Sequence, residues 1–164
     1  MSSTAKENNN AFTDVKAVFE KYADMVYRLA FVRTKNESDS DDILQDVFLR
    51  YMKVCHKIES EEHLKAMLIR ITLNCSKSFL TSGWVKKTVE LDDTLTYNDS
   101  YGESNVLAEV LKLPVKYRTV IHLYYYCGYS VKEIAGIEGT KEATVKTHLS
   151  RARAILKETL KEEI

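Results

Sequence analysis

The sequence predicts an all-α chain: two small helical domains joined by an acidic flexible linker. Three observations carry this. One proline and five glycines in 164 residues are too few for an all-β chain, which needs turn residues every 8–12 positions or so. Apolar residues recur at steps of three and four on both sides of residues 88–105, the period of amphipathic helices. The stretch between, TVELDDTLTYNDSYGESN, holds no period and is rich in Asp, Asn, Ser and Thr, as a linker is. A composition of 45% hydrophobic and 29% charged residues is that of a globular chain and excludes wholesale disorder.

Residues 1–11 read as a polar tail and 12–87 as the first domain. Thr13 can cap a helix whose apolar positions are Val15, Val18, Phe19, Tyr22, Met25, Val26, Leu29 and Val32. TKNESDSD reads as a loop with several capping candidates. A second helix follows, with Ile43, Leu44, Val47, Phe48, Tyr51, Met52 and Cys55 on one face. Ser60 caps a third, carrying Leu64, Met67, Leu68, Ile71, Cys75 and Phe79, and Ser82-Gly83 ends it.

Beyond the linker, residues 106–164 form the second domain. Val106, Leu107, Val110 and Leu111 predict a short helix. Pro114 suits the first turn of the next, which runs to about Cys127 and stops at Gly128. Ser130-Val-Lys-Glu133 is a capping box. It opens a helix of about seven residues, followed by a turn at Gly136–Gly139 and a long last helix capped by Thr140. Two helices joined by so tight a turn have the proportions of a helix-turn-helix, with Ile134, Val145 and Leu149 as the wedge between them. The Tyr124-Tyr125-Tyr126 run reads as core and interface.

The charge is zero in total, 24 basic against 24 acidic residues, and uneven in distribution. Glu37, Asp39, Asp41, Asp42 and Asp46 form an acidic run. Lys65, Arg70, Lys77, Lys86 and Lys87 follow without an acid among them. Glu90 to Glu109 is acidic, and Lys141, Lys146, Arg151, Arg153 and Lys157 face Glu142 alone. Two basic segments are thus set apart by acidic ones, giving two candidate phosphate-facing surfaces. On the last helix, Lys141, Thr144, Lys146, Thr147, His148, Ser150 and Arg151 offer donors to phosphates and base edges in a major groove. For Asp41 and Asp42, the electrostatics of a helix N-terminus is sufficient reason; it explains less well Gln45 and Asp46, one turn in.

Other classes are disfavoured. There is no Gly-rich phosphate loop, no HExxH and no nucleophile–base pair, so neither an enzyme nor a small-molecule substrate is expected. Cys55, Cys75 and Cys127 lie far apart, odd in number and without CxxC; they read as small buried hydrophobes in a reducing cytoplasm. Together with His56 and His63 they fit no zinc-ligand spacing, and no metal or cofactor is expected. No apolar run approaches the roughly 18 residues of a membrane span, and MSSTAKENNN lacks the apolar stretch of a secretory signal.

SVKEIAGIEGTKEATVKTHLSRARAIL resembles the C-terminal helix-turn-helix of the extracytoplasmic-function (ECF) sigma factors of bacterial RNA polymerase, in its Glu133-Ile134-Ala135, Gly139, Thr144-Val145-Lys146 and Arg151-Ala152-Arg153. LPVKYRTVIHLYYYCGYS resembles the segment that precedes it in that family. FEKYADMVYRLAFVRTKNESDSDDILQDVFLRYMK resembles the N-terminal sigma domain, and HLKAMLIRITLNCSKSFL the helix that reads the −10 element. The resemblance covers about residues 12–160. Departures fall at Ser78, Thr81, Glu138, Ala143 and His148, and touch promoter sequence rather than class.

What the resemblance implies is a transcription initiation factor. Its partners would be core RNA polymerase, through the β′ coiled coil and the β flap, promoter DNA, and an anti-sigma factor of the kind that holds many family members. Asp42, Ile43, Gln45, Asp46, Phe48 and Leu49 would bind core, with Gln45, Asp46 and Phe48 foremost. Arg70, Asn74, Lys77, Trp84, Lys86 and Lys87 would meet the −10 element. The seven donors of the last helix would meet the −35 element, Lys146 and Arg151 leading. The rival reading is a dimeric helix-turn-helix regulator that binds operator DNA without core polymerase.

Overall fold

A computed structural model describes residues 11–81 and 104–162, and no strand occurs among them. The chain divides into two compact units, residues 1–88 and 89–164. The all-α class and the pairing of two helical modules are as the sequence predicts.

The first unit packs three long helices against one another: α1 (Val15–Thr34), α2 (Glu37–Val54) and α3 (Glu61–Thr81), with a 3₁₀ turn at Cys55–Lys57. The cap of α1 is Asp14 rather than Thr13; its carboxylate accepts from the Ala17 amide at 3.2 Å. Thr13 belongs instead to a short helical stretch at 11–13. Most of TKNESDSD is helix, not loop. Lys35 ends α1 in the left-handed region (φ 56), and extended Asn36 caps α2 through the Asp39 amide at 2.8 Å. Glu37 and Asp39 then fall in the first turn, where the helix dipole favours carboxylates. Ser60 accepts from the His63 amide at 3.0 Å, as its capping role requires.

Val18, Val26, Ala30, Ile43, Val47, Tyr51, Leu64 and Leu68 fill the centre of this unit. Phe12 joins them: the buried Tyr51 hydroxyl donates to the Phe12 carbonyl at 2.8 Å. Burial pushes the Tyr51 phenol up to about 12. Arg33, almost wholly enclosed, donates through Nε to the Ser76 hydroxyl at 2.7 Å, tying α1 to α3. Cys55 and Cys75 are buried, as expected of small hydrophobes; Cys127 is only half-buried.

The second unit comprises α4 (Ser104–Lys112), α5 (Val115–Ile121), α6 (Val131–Glu138) and α7 (Glu142–Glu162). α4 begins two residues inside the predicted linker; the rest of that linker lies outside the described residues. Pro114 precedes α5 in an extended conformation (φ −52, ψ 146), so it stands at the cap and not in the first turn. After Ile121 the helix continues as one π turn, His122–Tyr126, closed by the Cys127 amide on the His122 carbonyl at 3.0 Å.

The capping box forms as read: Ser130 Oγ accepts from the Glu133 amide and the Glu133 carboxylate from the Ser130 amide, both at 3.1 Å. Gly139 ends α6 at φ 70, where a side chain would be strained. α7 starts at Glu142, one residue later than a Thr140 cap would place it, and the Lys141 carbonyl accepts from Thr144 and Val145. Ile134, Val145 and Leu149 are buried between α6 and α7, so the wedge is where the sequence puts it.

Candidate functional site

α2 presents two unlike faces. Inward stand Ile43, Val47, Phe48 and Tyr51; outward stand Asp42, Gln45, Leu49 and Met52. Ile43 and Phe48, expected on a contact face, are therefore core: Ile43 is 0% exposed and Phe48 6%. Phe48 lies edge-on to Phe19 of α1 at 4.9 Å and to Tyr51 at 6.4 Å. Asp46 sits at the edge, half-exposed, with Arg50 at 3.2 Å. Leu49 is 61% exposed, and two residues that sequence reasoning missed accompany it as exposed large hydrophobics, Met52 at 55% and Phe19 at 41%. The sequence puts Met52 on the apolar face with Ile43 and Val47; the structure turns it outward. Its position, three after Leu49 and seven after Gln45, carried the signal: apolar residues on the polar side of an amphipathic helix mark an interaction surface.

α3 buries Leu64, Leu68, Ile69, Thr72, Leu73 and Cys75 and turns Arg70, Asn74 and Lys77 to solvent in one stripe. The neighbouring hydroxyls of Ser78 and Thr81 donate back to the carbonyls of Cys75 and Lys77, both at 2.9 Å. Trp84, Lys86 and Lys87 lie outside the described residues.

α7 exposes Lys146, Thr147, Ser150 and Arg151, with Thr144 and His148 half-buried; Lys141, also exposed, stands just before the helix rather than on it. Thr147 Oγ1 donates to the Ala143 carbonyl at 2.9 Å. Lys141, Lys146 and Arg151 form no ion pair with any described residue. Arg153, part of the same sequence motif, turns elsewhere. Its Nε donates to the Tyr125 hydroxyl at 2.7 Å, and the guanidinium lies 5.3 Å from the Tyr124 ring and 5.5 Å from that of Tyr125. It borders an apolar groove of about 490 Å³ lined also by Val106, Val110, Tyr125 and Leu156.

His148 is not a freely presented donor. Its ring meets the buried Tyr117 ring edge-on at 5.5 Å, and its Nδ1 is buried without a hydrogen-bond partner among the described residues. Burial, then the charges of Lys116 and Arg151, hold its pKa below the ordinary 6.5. The native state thus favours neutral imidazole. The stability this confers is complete above about pH 6.5 and is lost as pH falls from there through the folded value. In denaturant titrations at pH 7 and pH 5, His148→Phe, which keeps a ring against Tyr117, should show a smaller acid-induced loss than the native chain. An equal loss in both would detach the effect from His148.

Among the described residues no cluster of ligating side chains could hold a metal, and no helix is long and apolar enough to cross a membrane.

Comparison with known proteins fits the two units separately and together. The family model for sigma-70 region 2 matches residues 18–85, and that for sigma-70 region 4 matches residues 104–156. The chain is 30% identical to the RNA polymerase sigma factor SigV of Bacillus subtilis over 84% of its own length and 85% of that protein's. It is 28% identical to the ECF RNA polymerase sigma factor SigW of the same organism, over 96% and 92%. Among solved structures, the sigma factor RpoE of Bartonella quintana, in complex with the anti-sigma factor NepR, superposes with a TM-score of 0.72 at 24% identity, covering 90% of this chain and 97% of that one. That last likeness speaks for the fold; the sequence matches go further. Region 2 and region 4 stand in order on one chain whose relatives match it along most of their length, and the chain belongs to the ECF family of RNA polymerase sigma factors.

Proposed function

We propose that this sigma factor docks on core RNA polymerase through the outer face of α2, meets the −10 element with the stripe on α3, and lays α7 into the major groove of the −35 element. The function itself follows from the family: a transcription initiation factor that binds core polymerase and directs it to promoters. The observation that carries the assignment of surfaces is electrostatic. In a chain of zero net charge, Lys77 on one unit and Lys141, Lys146 and Arg151 on the other lack ion pairs among the described residues. Unpaired cations on one helix face fit a polyanionic partner.

On the core side, Gln45 and Asp46 supply polar contacts around Leu49 and Met52, an apolar centre with a polar rim. On the −10 side, Asn74 carries both donor and acceptor for a base edge, and Arg70 and Lys77 flank it with positive charge. Single-stranded bases can be captured only once they leave the stack, so opening of the duplex and recognition at this stripe go together. The two units act as the DNA-contacting modules, the second beginning at α4 (Ser104) and not at 106, and the acidic segment before it acts as their tether. The apolar groove beside Arg153 suits the β flap as a second core contact. An anti-sigma factor, such as accompanies RpoE of Bartonella quintana, is a further partner. The chain performs no chemistry of its own; it acts in the cytoplasm, where the polymerase works.

The test is transcription in vitro with purified core polymerase. Arg151→Ala should weaken −35-dependent promoters by about 1–3 kcal/mol of binding, a loss of roughly thirtyfold at the middle of that range, and leave templates lacking the element unchanged. An equal loss on both templates would reject base-level recognition by α7.

A further inference from the structure

We propose that Lys116 of α5 holds a backbone phosphate at the −35 element, so that the DNA-facing surface of the second unit extends from α7 onto a helix outside the helix-turn-helix; this rests on α7 being the groove-reading helix. Lys116 belongs to none of the motifs that mark the nucleic-acid surface in the sequence. Packing brings it there. α5 and α7 lie against each other, and the Tyr117 ring, buried at their junction, meets the His148 ring at 5.5 Å. The Lys116 ammonium lies 5.2 Å from the centroid of that same Tyr117 ring. Arg151 stands one turn beyond His148 on α7. Lys116 and Arg151 thus act on one imidazole from two different helices, and both disfavour its protonation.

Neither cation is compensated. Lys112, at the end of α4, pairs with Glu109 at 2.9 Å, but Lys116 and Arg151 form no ion pair among the described residues. The acid of the capping box, Glu133, is engaged with the Ser130 amide. The Lys116 and Arg151 side chains are both exposed, so an arriving anion can reach them. A helix lying in the major groove has phosphate backbones on both sides, and an exposed cation beside its His148–Arg151 flank is placed to meet one of them. An exposed lysine there is a point charge on a flexible stem, suited to a phosphate and not to reading a base.

The experiment is equilibrium binding of the holoenzyme, core polymerase plus the full chain, to a promoter duplex across a salt series. One lost phosphate contact lowers the slope of log K against log salt by about 0.9 on duplex DNA. Lys116→Gln should give that decrease, the same for every −35 sequence tried, and Lys116→Arg should restore the native slope. A native slope in Lys116→Gln, or a loss confined to one −35 sequence, overturns the assignment. Replacing the −35 region in the DNA serves as the reference. If native holoenzyme is indifferent to that replacement, the placement of α7 itself fails; if it responds while Lys116→Gln behaves as native, only Lys116 is removed from the surface.

Discussion

Ile43→Ala should destabilise the first unit by about 2–5 kcal/mol, the range for deleting a fully buried aliphatic side chain, whereas Leu49→Glu on the same helix should change stability by about 0.5 kcal/mol or less. Ile43 is 0% exposed between the helices, so truncation leaves a cavity; Leu49 is 61% exposed, so a charge there stays in water. For a unit of this size each kcal/mol moves the midpoint by about 4–8 °C. The contrast is read from the unfolding transition of the first unit in thermal melts of the full chain. Comparable losses for both substitutions would mean that α2 is rotated from the orientation described here.

The same helix gives the larger functional effect. Leu49→Glu combined with Met52→Glu should abolish co-purification with core polymerase while leaving helicity and melting nearly native. The two side chains form the apolar centre of the exposed face of α2, and centrally placed contacts carry most of the energy of an interface, about 2 kcal/mol or more each when truncated. Gln45→Ala plus Asp46→Ala should weaken co-purification less, because Asp46 already pairs with Arg50 on its own helix. Undiminished recovery of the Leu49/Met52 variant with core would move the docking surface away from α2.

The sequence made the broad plan legible for a simple reason. Helical periodicity and the capping box at Ser130–Glu133 are local signals, carried by residues within a turn or two of one another. The wedge of Ile134, Val145 and Leu149 was legible in the same way, because the tight turn dictates which residues of its two helices meet. What failed was set by neighbours distant in sequence. Ile43 and Phe48 stand on the apolar stripe and are set on a contact face only by the resemblance; Phe19 of α1 packs against Phe48, and Ile43 is fully enclosed. His148 reads as a donor on a basic helix until Tyr117, on another helix, takes its ring. Lys116 carries no local mark at all. The cap positions missed by a residue for a milder reason: Thr13 and Asp14 are both good caps, and the sequence alone does not choose between them.

The π turn at His122–Tyr126 has a consequence for how this segment tolerates change. Each α-helical residue turns the chain by about 100°, so an indel of one residue here would act as a rotation of everything on one side of it. The tyrosine sharing a hydrogen bond with Arg153 and the tyrosine stacked on His122 at 4.7 Å are consecutive residues, and such a frameshift in three dimensions would exchange their environments. Substitution can tune this aromatic corner one side chain at a time; a change of length would rewrite it at a stroke.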